Sequence, residues 1–287
     1  MNKATWMAMV ITLLPLCAAA EEHAQTDLTI GNFFSQGWTE SWEHRHRDTP
    51  DMALLRVTTN FLEREARFDY VGTEASGNPK LDATHFANGL LAYGLSRRLM
   101  LEVITNYQWN VAPTGAPANG AGGAALARVQ LVETADKSYS LQVRASAANR
   151  GIGQTQSSLQ YALAGWQDLG ALVAPLGRTG LYYSVQLENL FGNHKAGARE
   201  NDVAWALAVA HTWTESTTPA FGNFTTFFEG AGTTDFDGAN AGTTVFSVTP
   251  GVRFWFVPKN SLTLGADLPL TSATFSVAYR ATYTLNF

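Results

Sequence analysis

The chain has 287 residues, of which only 15% are charged, and its formal net charge is −5. Soluble proteins normally carry about 25% charged residues, and a nucleic-acid surface needs a basic patch that this balance does not supply. Apolar and polar residues nearly cancel in the mean hydropathy, as they do when alternate residues of a membrane barrel face lipid and water.

Residues 1–20 form a leader: Lys3, an apolar run from Trp6 to Leu16, and Ala18-Ala19-Ala20 before Glu21. This is the pattern of a secretory signal peptide. No later stretch approaches the ~18 uninterrupted apolar residues of a spanning helix. Cys17 admits a second reading, a lipoprotein cleaved just before it, but Leu16 stands where that processing wants a small residue. Cleavage after Ala20 removes the sole cysteine, so neither a disulfide nor a thiolate metal site is expected. Loss of Lys3 also takes the charge to −6.

Residues 21–51 show no clean period. They read as a periplasmic extension, or as a plug folded into a barrel mouth with Phe33, Phe34, Trp38 and Trp42 as anchors. His44-x-His46, with Glu40, Glu43 and Asp48 nearby, would place two imidazoles on one face of an extended chain. The interspersed Arg45 and Arg47 disfavour a cation there, so a solvated charged run is the expectation, with no metal and no cofactor.

From residue 52 to the end the chain alternates. Ala53, Leu55, Val57, Thr59 and Phe61 form one face of a first strand, and Leu54, Arg56, Thr58 and Asn60 the other. Charges then appear on the apolar face after Phe61, which requires an exit from the bilayer or a bulge. Further strands are expected near 82–95, 99–109, 125–133, 139–146, 159–163, 181–188, 203–213, 223–230, 244–256, 261–268 and 275–287. Period two with one apolar face is a strand signal, and about 9–11 residues suffice to cross a bilayer. The segment 169–180 is ambiguous between an overlong turn, a short helix and strand. Pro250 removes a ladder donor from the tenth strand, and a bulge there would resolve it.

The connections carry a second regularity. Long Gly-rich ones (71–80, 111–124, 148–156, 191–201, 231–242) alternate with others that include the short 96–98, 134–138 and 257–260. Long external loops, short periplasmic turns and an even strand count are the plan of a bacterial outer-membrane barrel. A soluble β-sandwich would match it only by chance. Lipid demands closure, because an open sheet edge leaves backbone groups unpaired in hydrocarbon. The expected fold is therefore all-β, a closed antiparallel transmembrane barrel of about twelve strands in up-and-down order, with both ends periplasmic. Tyr93, Tyr107, Trp109, Tyr139, Trp205, Trp213, Phe254, Phe256 and Tyr283 fall near strand ends on the outward face, where aromatic girdles belong.

The last strand ends Tyr283-x-Leu285-x-Phe287 at the carboxylate. This ending resembles the C-terminal signal that the assembly machinery of bacterial outer-membrane barrels reads. Outer-membrane lipid and that machinery are the implied partners. Taken whole, the chain resembles a Gram-negative family of barrels linked, as transporters, to phenol-degradation pathways. The resemblance rests on the strands and ending in outline. The stretches from Gly31 to Trp38 and from Asn60 to Arg64 look like other outer-membrane proteins of that kind. It implies passive passage of small, aromatic or hydrophobic solutes and transfers no binding residue.

Inward parity selects Arg56, Glu102, Arg144, Glu188, Glu229, Arg253, Asp267 and Arg280 as pore-lining candidates. Their mixed signs fit either a polar pore or salt bridges that brace the lumen. Trp166, Tyr182 and Trp255 add an apolar component. An outer-membrane phospholipase is the enzymatic alternative, but no histidine is followed two residues later by serine, and no other nucleophile or phosphate motif occurs. A purely structural or adhesive barrel is the third reading. The expectation is an outer-membrane channel or diffusion facilitator, not an enzyme.

Overall fold

The computed structural model describes residues 26–42, 54–57, 61–75, 83–111, 120–149, 156–192, 200–215, 218, 222–257, 260–271 and 275–287. The leader and the His44-x-His46 run lie outside the described residues. Twelve strands follow one another: β1 (Arg64–Ala75), β2 (Ala83–Gly94), β3 (Leu99–Val111), β4 (Gly120–Glu133), β5 (Tyr139–Asn149), β6 (Gln156–Asp168), β7 (Thr179–Gly192), β8 (Asn201–Thr212), β9 (Gly222–Asp235), β10 (Thr244–Val257), β11 (Asn260–Pro269) and β12 (Phe275–Asn286). Each pairs antiparallel with its neighbours in sequence, and β1 pairs with β12 to close the barrel. Among the described residues no helix is long and apolar enough to cross a membrane. The crossing is made by strands, and closure leaves no edge in the hydrocarbon.

The burial pattern inverts that of a soluble protein. On β3, Leu101, Val103 and Tyr107 are exposed on the outside while Met100 and Glu102 are buried inside. Tyr279, Tyr283 and Leu285 on β12 also face outward, whereas Ala278, Thr282 and Thr284 face inward. The short turns gather at one end, with residues 95–98 and 134–138 among them. We refer to this as the turn end, which the barrel plan places in the periplasm. The ambiguous stretch after β6 is helical. The Asp168 carboxylate caps α1 (Leu169–Leu172), accepting from the Gly170 and Ala171 N–H groups at 2.9 and 3.2 Å. A 3-10 turn, Ala174–Leu176, follows.

Two expectations are corrected. The first strand begins at Arg64, so residues 54–57 are not part of the wall but lie inside the barrel. Leu54 from one expected face and Leu55, Val57 and Phe61 from the other all pack against the inner wall, not against lipid. Pairing and burial periodicity alone do not distinguish those two apolar neighbours. The second correction concerns Pro250, where the strand does not bulge. Pairs run from Val248↔Leu268 to Gly251↔Gly265 in unchanged register, and the shifts lie further on, at 253–255 and 255–257. Beside the missing donor, the Thr249 hydroxyl donates to Asp267 Oδ1 at 2.6 Å, tying β10 to β11 through side chains.

Residues 26–42 lie across the turn end. Leu28 exchanges backbone bonds with Glu133 at 2.8 and 2.9 Å. The guanidinium of Arg98, fully buried, donates to the carbonyls of Thr29, Gln36, Gln130 and Leu131 and to Asn32 Oδ1. Arg97 donates to Glu40 Oε2 at 2.6 Å and to the Thr26 carbonyl at 3.0 Å. The two arginines of the β2–β3 turn thus fasten the N-terminal segment to the rim.

Candidate functional site: the barrel interior

Residues 54–57 lie in the lumen and are held there by one carboxylate. Glu229, inward on the middle of β9, accepts from three successive backbone N–H groups: Leu55 at 2.9 Å, Arg56 at 2.8 Å and Val57 at 2.8 Å. Consecutive N–H groups converging on one anion form a nest, which holds negative charge without a cationic side chain. The Arg56 side chain turns the other way and donates to Asp267 Oδ2 at 2.9 Å. The same oxygen accepts from Arg280 Nε at 2.7 Å.

The wall is shaped to receive this inner segment. Ala206, Ala208 and Ala210 face inward from β8 and Ala231 from β9, and all four belong to one apolar cluster with Leu54, Val57, Phe61, Trp166, Tyr182 and Phe227. Phe61 meets Trp166 and Tyr182 edge to face, at ring separations of 5.5 and 6.3 Å. Gly251 and Gly265 stand opposite each other on β10 and β11. A Cβ on Gly265 would lie 2.5 Å from Leu55 Cδ1, and one on Gly251 would meet the Phe227 ring and, at 2.7 Å, the Leu264 carbonyl. Small residues are needed at these sites because the inner segment and the Phe227 ring occupy the space.

The other sector of the wall is polar. Glu65, Arg67 and Asp69 alternate along the inner face of β1, Glu102 pairs with Arg128 across β3 and β4, and Arg67 Nε contacts Asp69 Oδ2 at 3.2 Å. Asp69 also accepts from Thr282 on β12 at 2.7 Å. On β5 to β7, Ser146 donates to Gln160 at 3.1 Å, Gln160 donates to Glu188 at 2.9 Å, and Arg144 donates to Gln186. The lumen is therefore divided, with the apolar inner segment seated against β6 to β11 and charged or amide side chains lining the rest.

Of the eight inward candidates, Glu102, Arg144, Glu188, Glu229, Arg253, Asp267 and Arg280 stand on the inner face of the wall, while Arg56 is carried by the inner segment. Glu229, Asp267, Arg280 and Arg56 come together in one cluster. Arg253 stacks over Trp255 at 5.1 Å, and Glu102 and Arg144 belong to the polar sector. Arg67, Asp69, Arg128 and Gln186 share these networks but escape sequence reasoning. For β1 the signal exists, because Glu65-x-Arg67-x-Asp69 alternates with Ala66, Phe68 and Tyr70. A strand begun too early hides it.

The four aromatic anchors divide as well. Trp42 packs with Leu62, Leu90, Ala92 and Met100, its indole N–H donates to the Leu62 carbonyl at 2.5 Å, and Arg64 lies over its ring at 5.0 Å. Phe33 sits edge-on to Trp38 at 5.3 Å under the Arg98 guanidinium. Phe34 is 94% exposed and Trp38 is also exposed, so neither is buried in the mouth. The polar groups of Arg97 and Arg98 do that work instead. At the C-terminus Tyr283, Leu285 and Phe287 face outward, and the Phe287 N–H donates to the Arg64 carbonyl at 3.0 Å.

No protein-family model and no curated protein matches the chain. Solved structures do. An outer membrane channel from Pseudomonas putida F1 superposes with a TM-score of 0.54 at 13% identity, over 79% of this chain and 97% of that one. The KdgM porin gives 0.50 at 9% identity, over 78% and 99%. The KdgM porin in complex with disordered oligogalacturonate gives 0.51 at 9% identity, again over 78% and 99%. The likeness is one of fold, to outer-membrane barrel channels. A closed, even-stranded antiparallel barrel with an apolar exterior belongs to the outer membrane.

Proposed function

We propose that the chain is a passive outer-membrane channel for small solutes, narrowed from within by its own N-terminal segment. The observation that carries this reading is the division of the lumen. Residues 54–57 make their hydrogen bonds and apolar contacts with β8 to β11, through Glu229, Asp267, Gly265 and the alanine face. The charged and amide side chains of β1 to β7 would then line the route and replace part of a solute's hydration. Of the candidates named above, Glu102, Arg144 and Glu188 act as pore lining, and Glu229, Asp267 and Arg280 act with Arg56 as the tether. The resemblance to transporters of phenol-degradation pathways supports a small, aromatic or hydrophobic solute. The oligogalacturonate held by the KdgM porin supports small-solute passage through this fold in general.

A structural barrel without transport is the second reading, favoured by the complete burial of Phe61 and Trp166 toward the turn end of the lumen. Single-channel recording in planar bilayers separates the two. The channel reading expects measurable conductance from the full chain and a larger one from Glu229→Gln, which loosens the tether. Silence from both proteins would favour the structural barrel.

A further inference from the structure

We infer that Arg144 is the centre of a lumenal subsite for a small organic carboxylate, a deeper reading that takes its physiological meaning from the channel proposal. A guanidinium offers five N–H donors. Among the described residues the acceptor it meets is a neutral one, Gln186 Oε1, and its Nε–H is buried without a partner. Among the described residues no carboxylate lies within ion-pair distance of Arg144. The charges that face it are Arg128, Glu102 and Arg67. Glu102 gives Oε1 to Arg128 and keeps Oε2 without a hydrogen bond, and Asp69 is paired with Arg67, so neither acid is bonded to Arg144.

The ladder makes this arrangement expensive without a ligand. Arg144 stands directly opposite Arg128 across β4 and β5, and like charges so placed destabilise a sheet. A partly buried charge without a counter-ion is costly as well. The row beside it carries a small side chain. The residue opposite Arg144 on β6 is Ala162, and Ala162 in turn faces Gln186 on β7, so the arginine reaches to Gln186 across a methyl group. The next row is closed to it, because Ser146, Gln160 and Glu188 bond to one another. A carboxylate presents two coplanar oxygens that match the two parallel donors of a guanidinium edge.

Calorimetric titration of the detergent-solubilised full chain with sodium benzoate tests the assignment, with benzyl alcohol as the neutral control of similar size. Benzoate is expected to bind, to weaken with added sodium chloride, and to bind more tightly than benzyl alcohol. Arg144→Gln is expected to weaken benzoate about tenfold or more by removing a charge-assisted contact, with benzyl alcohol unchanged. If that variant does not give a heat-modifiable barrel, Arg144→Lys, which keeps the charge and loses the paired donors, is expected to weaken benzoate by about threefold or more. Equal benzoate affinity in the folded variant, or no preference for benzoate over benzyl alcohol in the unaltered protein, overturns the subsite. Bilayer recording is independent of this result. Benzoate binding without conductance would remove the channel and keep the subsite, and conductance without benzoate binding would do the reverse.

Discussion

Leu55 lies in the hollow left by Gly265: a side-chain carbon on residue 265 would come within 2.5 Å of Leu55 Cδ1. The wall of a barrel in this protein is thus complementary to a piece of the same chain. An unspecialised pore would have no use for such a fit. The glycine on β11, its partner Gly251 on β10 and the alanines of β8 are legible as a mould once the segment they hold is seen.

Gly265→Val should therefore displace the inner segment and leave the barrel intact. Overpacking a well-fitted contact costs about 1–3 kcal/mol, and the Pro250 carbonyl, 3.1 Å from the added Cβ, limits how far the wall can yield. The expected outcome is a larger single-channel conductance with unchanged heat-modifiable migration. Unchanged conductance in a folded variant would mean that residue 55 does not restrict the lumen.

Glu229→Gln keeps the side-chain length but turns one accepting oxygen into a donor. Two of the three N–H groups now share an oxygen, Arg56 and Val57, and these lose their acceptor if the amide nitrogen takes that place. Hydrogen bonds to a charged group contribute about 1.5–3 kcal/mol each. Hydrogen exchange at the amides of residues 55–57 should accelerate about tenfold or more, while exchange in β12 stays the same.

The rim contact responds to acid. Burial would raise the Glu40 carboxyl, but the Arg97 hydrogen bond, the Gly37 N–H and the charges of Arg97 and Arg98 outweigh it and hold the group below its ordinary value. A folded-state value below the unfolded one means that the contribution is present above the ordinary glutamate range and is lost as pH falls through the depressed value. Docking of residues 26–42 should thus be insensitive between pH 8 and 6, as about two units above a glutamate's usual titration implies, and should weaken on acidification below it. Limited proteolysis across that series reads the release. Glu40→Gln should flatten the profile, and because the carboxylate is 41% exposed the effect is small.

Phe287 offers a test of the terminal signal. Its backbone N–H is tied to Arg64 at the seam, whereas its ring faces outward. Phe287→Ser should leave refolding into detergent micelles unchanged and reduce the amount of assembled barrel recovered from outer membranes. Equal recovery would mean that the ring carries no assembly information.

The wall was the legible part of the sequence, for a physical reason. Lipid forces alternation on every strand, so residues such as Leu101, Val103 and Tyr107 announce the pairing pattern without any knowledge of their partners. The interior gives no comparable signal. Leu55, Val57 and Phe61 fall on alternate positions as in a lipid-facing strand, because an apolar wall inside the barrel selects the same side chains. Only the charges at Glu63, Arg64 and Glu65 mark the change of surroundings. Arg97 and Arg98 were equally opaque, since a turn with two arginines looks solvated until the carbonyls of residues 26–36 are brought over it. The Glu229 nest has no sequence signature, because its donors are backbone groups common to every residue.

Trp42 and Leu62 touch each other near the turn end, whereas residues 54–57 reach Glu229 in the middle of β9. The seam between β1 and β12 pairs from Glu65 to Ala75 without any residue of that inner segment. Closure of the cylinder is thus a property of the wall, and the occupant is fastened to it by side chains and not by the ladder.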